Sequence, residues 1–294
     1  MSRSAPFFQS GLRRRRRMGT LFGMFCLAMS MVGVFFLTVL LTFVFGKGWE
    51  LVRWDFFNSF PSTIYPERAG VKSALWGSIW LSVITVAVTV PVGVAAAIYL
   101  EEYAPPGRLT RFIRVNISNL AGVPSIVYGI LGLAVFVRWL ELGRSVAAGG
   151  LTLSILVLPV VIIATREALV AVPQSIRQAA YALGATRWQT VRSHVIPLAL
   201  PGIMTGTILA LSRAIGEAAP LLILGALTYV AFVPQGPLDA FTALPLQIYA
   251  WIDAPQEEFH RLAAAAIIVL LAVLLPMNAV AIGVRAWRQR KKAS

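Results

Sequence analysis

The chain has 294 residues, 58% of them hydrophobic and 13% charged. Soluble domains carry about 25% charged residues, so this composition excludes an ordinary water-facing surface and makes membrane lipid the natural solvent. The net charge of +14 does not imply nucleic-acid binding, because the basic residues cluster at the ends of long apolar runs. The single cysteine, Cys26, excludes a disulfide within the chain.

In chain order, Arg13–Arg17 precede an apolar run from Met18 to Phe45. A cleavable signal core has about 7–15 apolar residues and ends at a small-residue site. This run is longer and has no such site at its end, so it reads as an uncleaved signal anchor that is also the first span. A twin-arginine export signal is the poorer reading, and Cys26 within the run reads as a small apolar residue. The further runs are Ser73–Leu100, Ile117–Val137, Gly149–Val172, Ile196–Gly225 and Leu262–Val284. Each reaches the roughly 20 residues that cross the hydrocarbon layer, and none shows the short alternating segments of a barrel. The expectation is an all-α membrane protein with six transmembrane helices, its Pro91, Pro124 and Pro159 accommodated by neighbouring helices.

The basic residues set the orientation. Segments 1–19, 101–117, 173–195 and 285–294 carry 17 Lys and Arg, against six in 46–72, 138–148 and 226–260. By the positive-inside rule the first set is cytoplasmic. Both termini are therefore expected in the cytoplasm, as an even number of spans requires. The external loop 226–260 holds Asp239, Asp253, Glu257 and Glu258. Its apolar middle, Leu238–Ile252, carries Pro245, Tyr249 and Trp251, and fits either an interfacial or re-entrant segment or a loop packed on the outer ends of the spans.

Two sites break the apolar pattern inside spans. In the fifth, a helix starting near Pro197 carries Arg213 roughly 24 Å along its axis, past the midplane but within the hydrocarbon. A charge there costs at least about 2.5–3.5 kcal/mol on insertion scales, and such residues face a bundle interior or a water-filled path. Arg213 and Glu217, four apart, share a helix face and can pair. A self-neutralising structural pair is the plain alternative, against which stands the cost of desolvating both charges. The planar fork of an arginine also matches a tetraoxyanion. Arg166 and Glu167, near the cytoplasmic end of the fourth span, are adjacent and point about 100° apart, and Arg166 can snorkel to water. These residues alone do not name the ion.

The cytoplasmic segment Ser175–Gly202 reads as a short helix through Leu183, a stop at Gly184, a second short helix from Thr186 and a new span entered at Pro197. A solvated basic loop explains its charge but not the small Ala179–Ala180 pair followed by glycine. Gln178-Ala179-Ala180, Gly184 and Pro197 resemble the cytoplasmic EAA loop of binding-protein-dependent ABC importer permeases. Two positions depart from that pattern: Gln178 replaces the first Glu, and His194 stands where Ile is usual. His194, with no acidic neighbour in sequence, reads as an interfacial helix residue rather than a ligand or proton carrier. From Ser73 to the last span the likeness is closer. Arg166-Glu167-Ala168, the run Ala182–Trp188 and the run Arg213–Pro220 resemble the phosphate-importer permeases, and the last of these looks like the PstA-type subunit rather than its PstC-type partner.

That resemblance implies a type I ABC importer (MetI-like) permease fold over 73–285, with the EAA-like loop at 175–202. A basic tail, 1–19, and a first helix with its external loop, 20–72, would precede it, and a basic tail, 286–294, would follow. It implies a bacterial plasma (inner) membrane location. Arg213 and Glu217, with Arg166 and Glu167, would lie on a phosphate path, and Gln178, Ala179, Ala180, Gly184 and Pro197 on the segment that docks the ATPase. The implied partners are a second, PstC-like permease, a homodimeric cytoplasmic ATPase that binds the ATP, and an external phosphate-binding protein. The chain has no G-x-x-x-x-G-K-[ST] run, no paired Cys/His metal spacing and only two histidines, His194 and His260. No ATPase site, metal, cofactor or catalytic set of its own is expected. The alternative is an ATP-independent secondary anion transporter or channel, which would have no need of an EAA-like loop.

Overall fold

The computed structural model describes residues 8–226 and 229–293. Arg3 and the rest of the first seven residues, residues 227–228 of the 226–260 loop, and Ser294 lie outside it. The described residues are helical apart from connecting loops and one isolated bridge between Ser145 and Ala240. In chain order the helices are α1 (Phe8–Gly48), α2 (Trp54–Asn58), α3 (Lys72–Ile98), α4 (Arg108–Leu120), α5 (Ser125–Gly132), α6 (Val146–Val170), α7 (Gln174–Ala182), α8 (Arg187–Thr190), α9 (Ile196–Ile215), α10 (Ala219–Leu224), α11 (Leu244–Ile252) and α12 (Glu257–Ala293). Five helical stretches, built on α1, α3, α6, α9 and α12, are long and apolar enough to cross a membrane. A pair bent by 101°, Arg108–Leu120 with Ser125–Trp139, reaches that length and apolarity only when taken together, which gives five spans, or six with the pair as one.

That pair corrects the third expected span. The run Ile117–Val137 is not one straight helix: α4 ends at Leu120, and α5 with its π-helical continuation Leu133–Trp139 leaves at 101°. Pro124 has no N–H to continue the ladder and biases Val123 away from helical geometry, while Gly122 weakens the turn before it. α4 is amphipathic and none of its residues is buried within the chain. The run Ile196–Gly225 breaks in the same way. α9 closes at Gly216, because Pro220 cannot donate to the Gly216 carbonyl. α10 then starts with Pro220 in its first turn and ends at Gly225, whose φ of +85° suits glycine.

α6 is the centre of the bundle, with α3 on one side and α9 on the other. With little hydrophobic drive between helices in lipid, close backbone approach has to supply the packing. Gly202 and Gly206, one turn apart on α9, face Ala168 and Ala164 on α6. A Cβ added at Gly206 would lie 2.5 Å from that of Ala164. Gly206→Val is therefore expected to push α9 off α6, with an overpacking cost of about 1–3 kcal/mol. The check is thermal unfolding in detergent, where an unshifted midpoint would show that this seam bears no load.

At the bundle end remote from α7, the segment that fits two readings in sequence proves to be packed. α11 buries Leu244, Ile248 and Trp251, the last beside Phe56 of α2, in a core shared with the start of α3 and with Leu262 and Ala266 of α12. Tyr249 and Ile252 alone keep an exposed face there. The first helix is the opposite case. Every residue from Arg15 to Leu40 is exposed, and α1 joins the bundle only near its end, where Val44 meets Ala264 and Ile268 and Lys47 pairs with Glu257.

Candidate functional site

Arg213 sits in the last turn of α9, a position where a cation meets the negative end of the helix dipole. Glu217 lies just beyond the helix, not on it, yet the pairing expected from the spacing holds. Arg213 Nε is 3.6 Å from Glu217 Oε1, an ion pair without a hydrogen bond. The Arg213 side chain is 70% exposed while that of Glu217 is 20% exposed, so most of the guanidinium fork remains free. Arg213 also borders a small cavity of about 30 Å³, lined with it by Val157 and Val160 at the middle of α6, Ala210 of α9, and Leu120, Ser125 and Tyr128 at the α4–α5 break. The Tyr128 hydroxyl donates to the Leu120 carbonyl at 2.8 Å and so closes the broken span on itself. The start of α5 and Arg213 thus border one small space at mid-bundle depth. Both favour negative charge, the first through its dipole and the second through its own charge.

Arg166 and Glu167 are elsewhere. They lie about 9–15 Å further along α6 than Val157 and Val160 at helical rise, in the layer that holds α7. Arg166 Nε donates to Glu101 Oε2 at 3.2 Å, and Arg114 of α4 reaches the same oxygen at 3.3 Å. Adjacent though they are, Arg166 Nη1 and Glu167 Oε1 come within 3.8 Å through their long arms, and Glu167 stays exposed. The four charges expected along one path therefore form two groups: Arg213 with Glu217 at mid-depth, and Arg166 with Glu167, Glu101 and Arg114 at the α7 end.

The segment after α7 follows the sequence reading through Gly184 and Thr186, but no new span is entered at Pro197: the second short helix and the span are one continuous stretch, Arg187–Ile215. α7 ends with Leu183 as its cap, and Gly184 turns the chain with φ +82°. Thr186 then starts α8 with a capping box, its hydroxyl accepting from the Gln189 N–H while Gln189 Oε1 accepts from the Thr186 N–H. A π turn, Val191–Val195, joins α8 to α9, and Pro197 occupies the first turn of α9. Gln178, Ala179 and Gly184 face outward, and Ala180 is buried. His194 is exposed on the π turn. Leu183 is 89% exposed, and Tyr181 and Trp188 of the same loop are also exposed.

The residues that sequence reasoning missed are Glu102 and Arg177. Glu102 lies in the π turn Tyr99–Tyr103 that ends α3, and Arg177 lies on α7. Both are buried and joined by a 2.6 Å hydrogen bond from Arg177 Nη2 to Glu102 Oε1. In sequence they were only two of many charges in basic segments. The available signal was Glu101-Glu102, two acids together where an apolar run ends.

The long apolar helices of the bundle define a multi-pass membrane protein. Residues 89–293 match the family described as binding-protein-dependent transport system inner membrane component, and the chain belongs to that family. It is 35% identical over 238 residues to the probable ABC transporter permease protein YqgI of Bacillus subtilis, covering 78% of this chain and 80% of that one. It is 33% identical over 286 residues to the phosphate transport system permease protein PstA 1 of Mycobacterium tuberculosis, covering 95% and 92%. With the PstA protein of Haemophilus influenzae the identity is 32%, over 89% and 90%. Among solved structures, an inward-facing form of the MetNI methionine ABC transporter superposes with a TM-score of 0.61 at 18% identity, covering 72% of this chain and 94% of that one. That likeness establishes the fold.

Proposed function

We propose that this chain is the PstA-type permease subunit of an ATP-driven importer of inorganic phosphate, and forms half of the translocation pathway. The observation that carries the reading is the largely free Arg213 fork at mid-bundle depth. A cation there, held only by a 3.6 Å ion pair to Glu217, is costly in lipid and is suited to an oxyanion that accepts two parallel hydrogen bonds. The identity with phosphate transport permeases over 95% of the chain supports phosphate as that oxyanion. Glu217 would hold the guanidinium from one side and let it turn toward the anion, with Arg166 and Glu167 on the same route nearer the α7 end.

In this reading the chain binds no cofactor and has no ATPase site; ATP is bound by a homodimeric cytoplasmic ATPase. The segment carrying Gln178, Ala179, Ala180, Gly184 and Pro197 docks on that ATPase. A second, PstC-like permease completes the pathway, and an external phosphate-binding protein delivers the anion. The excess of Lys and Arg on the α7 side supports cytoplasmic termini in a bacterial plasma (inner) membrane. ATP binding closes the ATPase pair, the α7–α8 loops swing, and the bundle passes from inward- to outward-facing. The test is uptake by vesicles holding the assembled complex. ATP-dependent accumulation of phosphate, with little of sulfate, is the expected outcome. Uptake without ATP and without an ATPase subunit in the purified complex would instead identify a secondary transporter or channel.

A further inference from the structure

We propose that Arg177 and Glu102 form a clamp that carries the motion of the coupling loop into α3 and α6, and so act as positioning residues for transport. The inference rests on the reading of the chain as an ATP-driven permease. Its basis is a buried junction of three elements. Arg177 Nη2 donates to Glu102 Oε1 at 2.6 Å and to the Leu169 carbonyl at 3.0 Å, while Nε lies 3.3 Å from Oε1 and Nη1 donates to the Val172 carbonyl at 2.7 Å. The two side chains are 9% and 6% exposed. Leu169 and Val172 are at the end of α6, where carbonyls lack helical donors and Pro173 bars continuation. One guanidinium thus joins the end of α3, the end of α6 and the second turn of α7.

A pair this deep is a poor way to gain stability alone, since apolar residues of similar volume often serve as well. Its directional bonds do something packing cannot: they fix the angle of α7 on α3 and α6. The other half of the loop has a separate outlet. α8 runs through the π turn into α9 as one helical stretch, Arg187–Ile215, which ends beside Arg213. Gly184, at φ +82°, is the corner between the two outlets. Motion of the loop therefore reaches α3 and α6 through the clamp, and reaches α9 along its own axis. The Arg213 cavity is lined by both α6 and α9, so a shift of one on the other, along the Gly202 and Gly206 seam, changes the walls around the arginine. With the clamp open, α9 is driven and α6 does not follow. The neighbouring Glu101–Arg114–Arg166 group is more exposed and leaves α7 untouched.

The experiment measures phosphate moved per ATP hydrolysed by the reconstituted complex, for Glu102→Gln, for Arg177→Lys and for the double variant Glu102→Met with Arg177→Met. The double variant leaves no unpaired buried charge, so it assembles even where a single variant does not. The expected result is ATP hydrolysis within about threefold of wild type and a transport ratio lowered by at least about tenfold, the scale of a typical coupling free energy. Arg177→Lys, which keeps the charge and loses the fork, falls between. A double variant that keeps the wild-type ratio, or loses both activities in proportion, overturns the clamp. A wild-type complex with no ATP-driven phosphate uptake overturns the functional reading instead, and is seen before any variant is compared.

Discussion

Vesicles carrying the assembled complex with Arg213→Gln should lose ATP-driven phosphate uptake by about 10²–10³-fold, with the amount of complex unchanged. Glutamine keeps much of the reach of arginine and removes both the charge and the paired donors. Attraction between unit charges at 4 Å is about 4 kcal/mol at an effective dielectric of 20, and a hydrogen bond to a charged group contributes about 1.5–3 kcal/mol. A loss of roughly 3–4 kcal/mol in holding the passing anion gives that range. Folding should barely notice, because the side chain is 70% exposed and its contact with Glu217 is a 3.6 Å ion pair without a hydrogen bond, a kind worth little where solvent screens it. Arg213→Lys retains the charge as a compact point and loses the fork, so it should transport at an intermediate rate. Normal uptake by Arg213→Gln in assembled complex would remove the arginine from the pathway.

The pairing of Arg213 with Glu217 was legible because it is local: residues four apart meet wherever the chain is near helical. Gly184 was legible for a similar reason, since a left-handed turn after a short helix favours glycine. The spans were legible as apolar length, but the two breaks were not. Pro91, Pro159, Pro201 and Pro276 lie inside intact helices, so a proline by itself does not end a membrane helix. Pro124 and Pro220 differ in having a glycine within the four preceding residues, Gly122 and Gly216. There the missing hydrogen bond adds to a weak turn, and the helix gives way. The α11 segment was undecided because an apolar stretch with Tyr249 and Trp251 looks the same against lipid headgroups as against Phe56 and Leu262. The Glu102–Arg177 junction was out of reach altogether: its partners are separated by 75 residues, and no local spacing relates them.

Leu183→Glu should release the ATPase subunit from the purified permease and abolish ATP-driven uptake, without unfolding the chain. Leu183 caps α7 immediately before the Gly184 corner and is 89% exposed, and Tyr181 and Trp188 on the same loop are exposed too. Three large exposed side chains, Leu183, Tyr181 and Trp188, on one connecting loop are best explained by a partner that covers them. Burying a leucine is worth about 1.5–3 kcal/mol, and a carboxylate in its place must also be desolvated. The affinity for the ATPase should therefore fall by at least about tenfold to a hundredfold. The chain itself loses almost no contact, and an acid near a helix C-terminus costs only about 0.3–1 kcal/mol, so the thermal midpoint should shift little. Copurification of the two subunits, compared between wild type and variant at equal expression, is the direct measurement. Should the ATPase stay bound at full strength while uptake continues, the exposed tip between α7 and α8 is not where the two proteins meet, and the engine must grip the permease elsewhere.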